Sequence, residues 1–251
     1  MTAILRAEHL TFHYGRGPGV DDVSLAVREG ERLAIVGESG SGKTTTARLL
    51  LGLLRPASGS VLFHGERLAT GDRRAMRRFR SQVQCVFQDP YSSLDPRMRI
   101  GRIVAEPIRA LHLASGRAVR DRVEEALHAV GIPLDRVDDY PHELSGGQRQ
   151  RVAIARAIAC EPRVLVADEP VSALDMSTKV RVMELLDRLT RERAMALVLV
   201  SHDLATVAAT CDTVALMRSG RVVERGDLRT VLSAPEEGYT RQFLAAVPRL
   251  P

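Results

Sequence analysis

The sequence predicts an α/β architecture in which a parallel sheet carries an antiparallel β flank and an inserted helical subdomain. Three features lead there. Short β-branched runs alternate with helical stretches, the pattern of strands joined by crossover helices. The first strand-like runs follow one another across turns instead of helices, which pairs them antiparallel. Strand signals then vanish between about residues 89 and 160, where apolar residues recur at helical spacing.

Along the chain, residues 4–10 and 23–27 form the flank, separated by the glycine-bearing turn 15–19, and Glu29-Gly30 turns into a strand at 32–36. A helical run from 45 to 54 follows. Strands at 61–64 and 83–87 precede the helical segment, whose helices span 102–113, 116–130 and 147–159. Strands at 164–167, 197–200 and 213–217 complete the sheet, the last making a tight hairpin with 221–224 across Arg218-Ser219-Gly220. The predicted division is one domain, 1–251, with a core at 1–88 and 161–251 and a helical subdomain at 89–160. No internal repeat or low-complexity tract interrupts it.

With 251 residues, 45% hydrophobic and 27% charged, the chain can bury a substantial core, which excludes a disordered or fibrous protein. A net charge of +5 is too small and too scattered to choose among nucleotide, nucleic acid and membrane partners. The longest apolar stretches, 164–167 and 194–200, fall short of the roughly 20 residues that span a bilayer. The N-terminus shows no export signal, so a cytoplasmic location is expected. Cys85, Cys160 and Cys211 are far apart and form no C-x-x-C pair, which argues against a disulfide framework or zinc site and for buried thiols. The absence of Asn excludes N-glycosylation.

Gly37-Glu38-Ser39-Gly40-Ser41-Gly42-Lys43-Thr44 fits G-x-x-x-x-G-K-[ST], with a strand running in and a helix leaving. Gly37, Gly40 and Gly42 let the backbone curl, so that its amides, with Ser39, Ser41 and Thr45, surround phosphates at the positive end of a helix. Lys43 should reach the β- and γ-phosphates, and Thr44 should hold Mg²⁺. Of 36 basic residues only Lys43 and Lys179 are lysine, so a compact ammonium at this one position is informative. Val164-Leu165-Val166-Ala167-Asp168-Glu169-Pro170 is a buried strand ending in two carboxylates, where open α/β sheets bind ligands. Asp168 suits Mg²⁺, and Glu169 suits polarising a water toward the γ-phosphate.

Leu144-Ser145-Gly146-Gly147-Gln148 resembles the signature of ABC-type ATPases, and other elements of that family occur in family order across nearly the whole chain. The resemblance implies a P-loop NTPase with a RecA-like core, ATP and Mg²⁺ as ligands, and roles for particular residues. Tyr14 matches the aromatic that stacks on adenine. Gln88, in Val86-Phe87-Gln88-Asp89-Pro90, matches the Q-loop glutamine that touches Mg²⁺ or the attacking water. Asp175 matches the D-loop aspartate, and His202 the switch histidine that contacts the γ-phosphate. Ser145, Gly146, Gly147 and Gln148 would form a second anion cradle, which in this family closes on the nucleotide held by the other subunit of a dimer.

The segments around Gln88–Arg97, Tyr140-Pro141-His142-Glu143-Leu144 and Tyr239-Thr240-Arg241 resemble the dipeptide, oligopeptide and nickel importer branch, although Asp95 replaces a usual Asn and Gly238 a usual Pro. That branch implies uptake of peptides or nickel and metal chelates. Its expected partners are a second ATPase (itself or a related subunit), two transmembrane permeases near Gln88 and residues 91–99, and indirectly an extracytoplasmic solute-binding protein. The implied location is the cytoplasmic face of the inner membrane. With the sequence stopping at Pro251, without a cysteine-bearing extension, no iron–sulfur cluster is expected. A soluble ABC ATPase acting on DNA or ribosomes is the alternative, though it would ordinarily carry two cassettes or a coiled coil. No nucleic-acid partner is expected. A guanine-nucleotide switch needs an Asn this chain lacks, and a regulatory module without turnover fits poorly with Asp168, Glu169 and His202. Arg73, Arg74, Arg77, Arg78 and Arg80 read by default as a solvated helix face, with nucleic-acid or lipid contact as the alternatives.

Overall fold

The computed structural model describes residues 3–15, 17, 19–89 and 93–246. The chain separates into two compact units, Met1–Met76 with Ala196–Pro251, and Arg77–Met195.

In the first unit, β1 (Ala3–His13) lies between β2 (Gly19–Arg28) and β4 (Ser58–Phe63), antiparallel to both, with β5 (Glu66–Arg67) at the edge. β2 alternates from Val23 onward as a half-buried strand should, burying Val23, Leu25 and Val27, and it also buries Val20. The register of β1 against β4 slips between Glu8 and Thr11. His9 there has φ 50° and the facing Gly59 has φ 83°. A Cβ on Gly59 would lie 2.2 Å from the His9 carbonyl oxygen, so this bulge requires glycine.

The same unit holds a second group of strands. β3 (Arg32–Gly37) is flanked in parallel by β8 (Ala196–Val200) and β9 (Thr213–Arg218), and β10 (Arg221–Asp227) returns antiparallel to β9. β8 is buried throughout and β3 from Leu33 onward, as strands covered on both faces must be. Ser219 and Gly220, at φ 47° and 82°, make the β9–β10 turn with two left-handed residues. Helix α1 (Lys43–Leu50) leaves β3. In the second unit, β6 (Val83–Val86) runs parallel to β7 (Val164–Asp168).

Helix α2 (Arg73–Gln82) contains the unit boundary and buries Met76 and Phe79, while its five arginines are exposed. Between β6 and β7 the described residues contain no strand. They contain α3 (Ile100–Ala110), α4 (Arg117–Ala129) and α5 (Gly146–Ile158), packed on one another, and α6 (Met176–Glu192) then packs on α5. The periodicity at 102–113 overshoots α3 because Leu113 is not helical. His112 takes φ 54°, and the amides of His112 and Leu113 bond back to Arg109 and Ile108 at 3.0 and 2.9 Å, a Schellman closure.

After β8 come α7 (Leu204–Thr210), α8 (Leu228–Ser233) and α9 (Gly238–Ala246), the first two capped by Asp203 and Asp227. No described helix is long and apolar enough to cross a membrane. Ile35 is fully buried in β3 between two parallel neighbours. Ile35→Ala should lower unfolding free energy by about 2–5 kcal/mol in urea titrations; a loss below about 1 kcal/mol would contradict this placement.

Candidate active site

The glycine-rich loop leaves β3 at Gly37 and enters α1 at Lys43. Its shape rests on main-chain contacts that exclude side chains. A Cβ on Gly37 would lie 2.3 Å from the Met217 carbonyl oxygen, and one on Gly42 3.0 Å from that of Gly19. Both residues have positive φ, 150° and 102°. The Gly220 amide donates to Ser41 O at 3.0 Å, and the Asp21 amide to Gly220 O at 2.9 Å. The start of β2 and the β9–β10 turn thus brace the loop from behind.

The loop suits an anion. Helix α1 has no side-chain cap and no acid in its first turn, so nothing there opposes an anion at the positive end of its dipole. The Ser41 hydroxyl is buried without a hydrogen-bond partner. The buried Lys43 ammonium donates to Gly37 O at 2.9 Å and Glu38 O at 2.8 Å, folded onto the loop. Thr44 is half-buried at the helix start, and the Thr45 side chain is buried behind it. Ser39 and Gly40 are exposed at the rim.

Two further sequence-selected residues lie in this unit. β3 and β8 pair in parallel with Ile35 opposite Val200, and the Ser201 amide donates to Ile35 O at 3.2 Å. His202 therefore follows the same strand edge as the loop and is exposed. Asp203 beside it caps α7, accepting from the Ala205 and Thr206 amides. Tyr14 is 45% exposed, packed edge-on against Phe12 at 4.8 Å. Its neighbour His13 pairs with Gly19, the residue against Gly42, so a free aromatic face stands close to the loop.

The second unit holds the carboxylates. β6 and β7 are parallel with Val86 opposite Ala167, so Gln88 and Asp168-Glu169 emerge at one edge. Gln88 Nε2 donates to Glu169 Oε2 at 3.5 Å. Asp168 is buried, whereas Glu169 adopts φ 46°, rare for a side chain with a Cβ. The Ser172 amide and hydroxyl each donate to the Glu169 carbonyl at 3.2 Å and hold this conformation. Tyr91 and Ser92, part of the expected permease contact, lie outside the described residues. Cys160 and Cys211 are buried as expected whereas Cys85 is half-buried, and desolvation pushes the Cys85 thiol up to about 11 and the Cys160 thiol to about 12.

The Leu144–Gln148 segment begins α5 with a capping box. Gln148 N donates to Ser145 Oγ at 3.3 Å, and Ser145 N to Gln148 Oε1 at 2.9 Å. Gln148 thus closes the helix start, leaving Gly146 and Gly147 to present first-turn amides. Asp175 caps α6 through the Thr178 amide at 3.0 Å and accepts from the Ser177 hydroxyl at 2.8 Å; with the Thr178 and Ser177 side chains the largest influences, its carboxyl is held at about 2. A Cβ on Gly147 would lie 2.5 Å from Thr178 Cγ2. The two helix starts are fitted to each other.

Sequence reasoning missed Gly19 and Gly220 as the brace, although a glycine in each turn was a visible signal. It also missed Thr178 as the neighbour of Gly147, which no local pattern reveals.

A family profile described as ABC transporter matches residues 20–172. The glutathione import ATP-binding protein GsiA of Salmonella typhimurium is 45% identical over 229 residues, covering 91% of this chain and 37% of that protein. The chain therefore spans little more than a third of those glutathione-import relatives. The probable peptide ABC transporter ATP-binding protein y4tS of Sinorhizobium fredii is 42% identical over 257 residues, covering 98% of this chain and 73% of that protein. Among solved structures, cbiO1 of Clostridium perfringens, part of the ABC transporter complex cbiONQ, is 31% identical with a TM-score of 0.82, covering 99% and 97% of the two chains. The dimeric ATP-binding cassette MJ0796 bound to ADP and Pi is 31% identical with a TM-score of 0.78, covering 90% and 99%.

Gly147→Ala should drive its methyl into Thr178 and lower Tm by roughly 2–10 °C. Adding Thr178→Ser, which deletes Cγ2 and keeps the hydroxyl, should restore most of the loss in a melting experiment; no recovery would refute the contact as the cause.

Proposed function

The chain belongs to the ABC transporter family, and on that premise we propose that it is the ATP-hydrolysing subunit of an importer. The arrangement that carries the hydrolytic reading is Glu169, held left-handed at the end of β7 with Gln88 from the adjacent strand beside its carboxylate. A carboxylate so fixed can orient a water and accept its proton as the water attacks the γ-phosphate. The loop 37–45 binds the phosphates through its amides and Lys43, which exchanges its bonds to Gly37 O and Glu38 O for phosphate oxygens. Tyr14 stacks on the adenine, and His202 contacts the γ-phosphate.

Thr44, Asp168 and Gln88 offer the hard oxygen donors that Mg²⁺ prefers, and the ion would neutralise charge developing on the phosphates. Ser145, Gly146, Gly147, Gln148 and Asp175 are assigned to the face that closes on nucleotide held by a second copy or a related subunit. The core at 1–88 and 161–251 and the helical subdomain at 89–160 remain our functional division. The importer reading rests on relatives named for peptide and glutathione import. Peptides or small peptide-like solutes are therefore the proposed cargo; nickel and metal chelates, which the sequence resemblance also implied, have no counterpart in those names. The chain would sit peripherally at the cytoplasmic face of the inner membrane, meeting two transmembrane permeases near Gln88 and residues 91–99, and indirectly a solute-binding protein would complete the assembly. Nucleic acid has no place in this reading.

Glu169→Gln should keep ATP affinity and lose phosphate release by at least about 10²-fold; near-normal turnover would refute Glu169 as the group that polarises water. Lys43→Ala should weaken ATP binding and hydrolysis together. Affinity purification of the Glu169→Gln protein from solubilised membranes with ATP should recover two multi-span permeases. Recovery of ribosomal or DNA-repair proteins alone would overturn the importer while leaving the ATPase.

A further inference from the structure

The Tyr239-Thr240-Arg241 motif has no part in the chemistry above, yet the first unit docks it on the hairpin that backs the phosphate loop. Helix α9 is anchored to β10: Glu224 accepts from the Glu236 and Glu237 amides at 2.9 and 3.1 Å. Arg241 donates to Pro235 O and Glu236 O at 2.8 and 2.9 Å, closing the turn before the helix, and Thr240 is fully buried. The half-buried Tyr239 carries the guanidinium of Arg218, the last residue of β9, 4.5 Å from its ring centroid. Phe243, one helical turn on, lies 6.1 Å from the same ring.

Arg218 belongs to a run of four residues, 217–220, that forms the back wall of the loop. Met217 pairs with Gly37, its carbonyl leaves no room for a Cβ there, and its sulfur accepts from Thr46 Oγ1 at 3.5 Å. The Gly220 amide donates to Ser41 O at 3.0 Å, and the Gly220 Cα lies 3.3 Å from where a Cβ on Gly42 would be. Between them Ser219 takes φ 47°, a left-handed conformation that persists in a residue with a Cβ only where its surroundings hold it. One tether is to β2: the Asp21 amide donates to Gly220 O at 2.9 Å, and the Asp21 carboxylate pairs with Arg221. Arg218 on Tyr239 is a second tether, to α9. A cation is drawn to the face of an aromatic ring by the ring's quadrupole, so the ring fixes where the arginine lies and, with it, the strand end two residues before Gly220.

We propose that Tyr239 and Arg218 are positioning residues for the phosphate loop: the guanidinium stacked on the ring, carried by α9, fixes the β9–β10 turn so that the Gly220 amide holds Ser41 O and the loop keeps the shape that takes the triphosphate. The inference rests on ATP being the ligand of loop 37–45. It assigns the Tyr239-Thr240-Arg241 segment to nucleotide affinity, through the back of the loop, with no part in the hydrolytic step.

The test is a double-mutant cycle on MgATP affinity, measured by calorimetry alongside steady-state hydrolysis and thermal melting. Arg218→Met, which keeps an apolar stem at an exposed position, and Tyr239→Leu, which removes the ring, should each raise Kd and KM for ATP about three- to tenfold and leave kcat within about twofold. Combined, they should raise Kd no further than either alone. Tyr239→Phe, which keeps the aromatic face, should bind MgATP within about twofold of the natural chain. An unchanged Kd in Arg218→Met overturns the proposal even if Tyr239→Leu fails to fold. Additive losses in the double variant overturn it too, as the mark of an arginine that acts on the nucleotide by itself. So does a loss in Tyr239→Phe equal to that in Tyr239→Leu, or a lower melting temperature with the natural Kd. A natural chain that binds no MgATP would refute the ATPase reading itself, an outcome distinct from all of these.

Discussion

The close meeting of three backbones behind the phosphate loop is the constraint on which the first unit depends. The start of β2, the loop before α1 and the β9–β10 turn approach until no side chain fits among Gly19, Gly42 and Gly220. A Cβ on Gly220 would lie 2.8 Å from the Gly19 carbonyl oxygen. Main-chain hydrogen bonds from Gly220 to Ser41 and from Asp21 to Gly220 then lock the three segments. An amide cradle works only if its donors are aimed before the ligand arrives. Here the aim is set by peptide groups, which have few conformations to choose from, and the antiparallel flank and the hairpin both help to set it.

The second unit achieves fixity differently. Glu169 is held by strain: a left-handed residue at a strand end, kept there by two hydrogen bonds onto its carbonyl. Gln88 reaches it because parallel pairing of β6 and β7 brings their ends level. Strand register thus determines which side chains can cooperate.

Much of this was legible because it is encoded locally. Buried parallel strands read as apolar runs, and a phosphate loop must place glycines where positive φ is needed. Gly37, Gly40 and Gly42 all have it. What escaped the sequence depends on contacts between distant segments. β5 is only Glu66 and Arg67, without an apolar signal, and forms because β4 offers it an edge. The α3 boundary was misplaced because Leu113 continues the helical period while serving as the residue beyond a left-handed His112. Gln150 is fully buried with both amide atoms unpartnered, and I, i+4 spacing on a polar-looking helix start gives no warning of that. Tyr239 was visible as part of a motif, but the Arg218 guanidinium over its ring comes from strand β9, and only the fold joins them.

The paired helix starts of α5 and α6 have a kinetic consequence. Ser145 and Asp175 cap their own helices, and Gly147 and Thr178 lie in contact, so this surface is formed in the isolated chain without help from a ligand. A surface that is already ordered loses little conformational entropy when something docks on it. Its association rate is then governed by diffusion and orientation, with no slow folding step preceding the encounter.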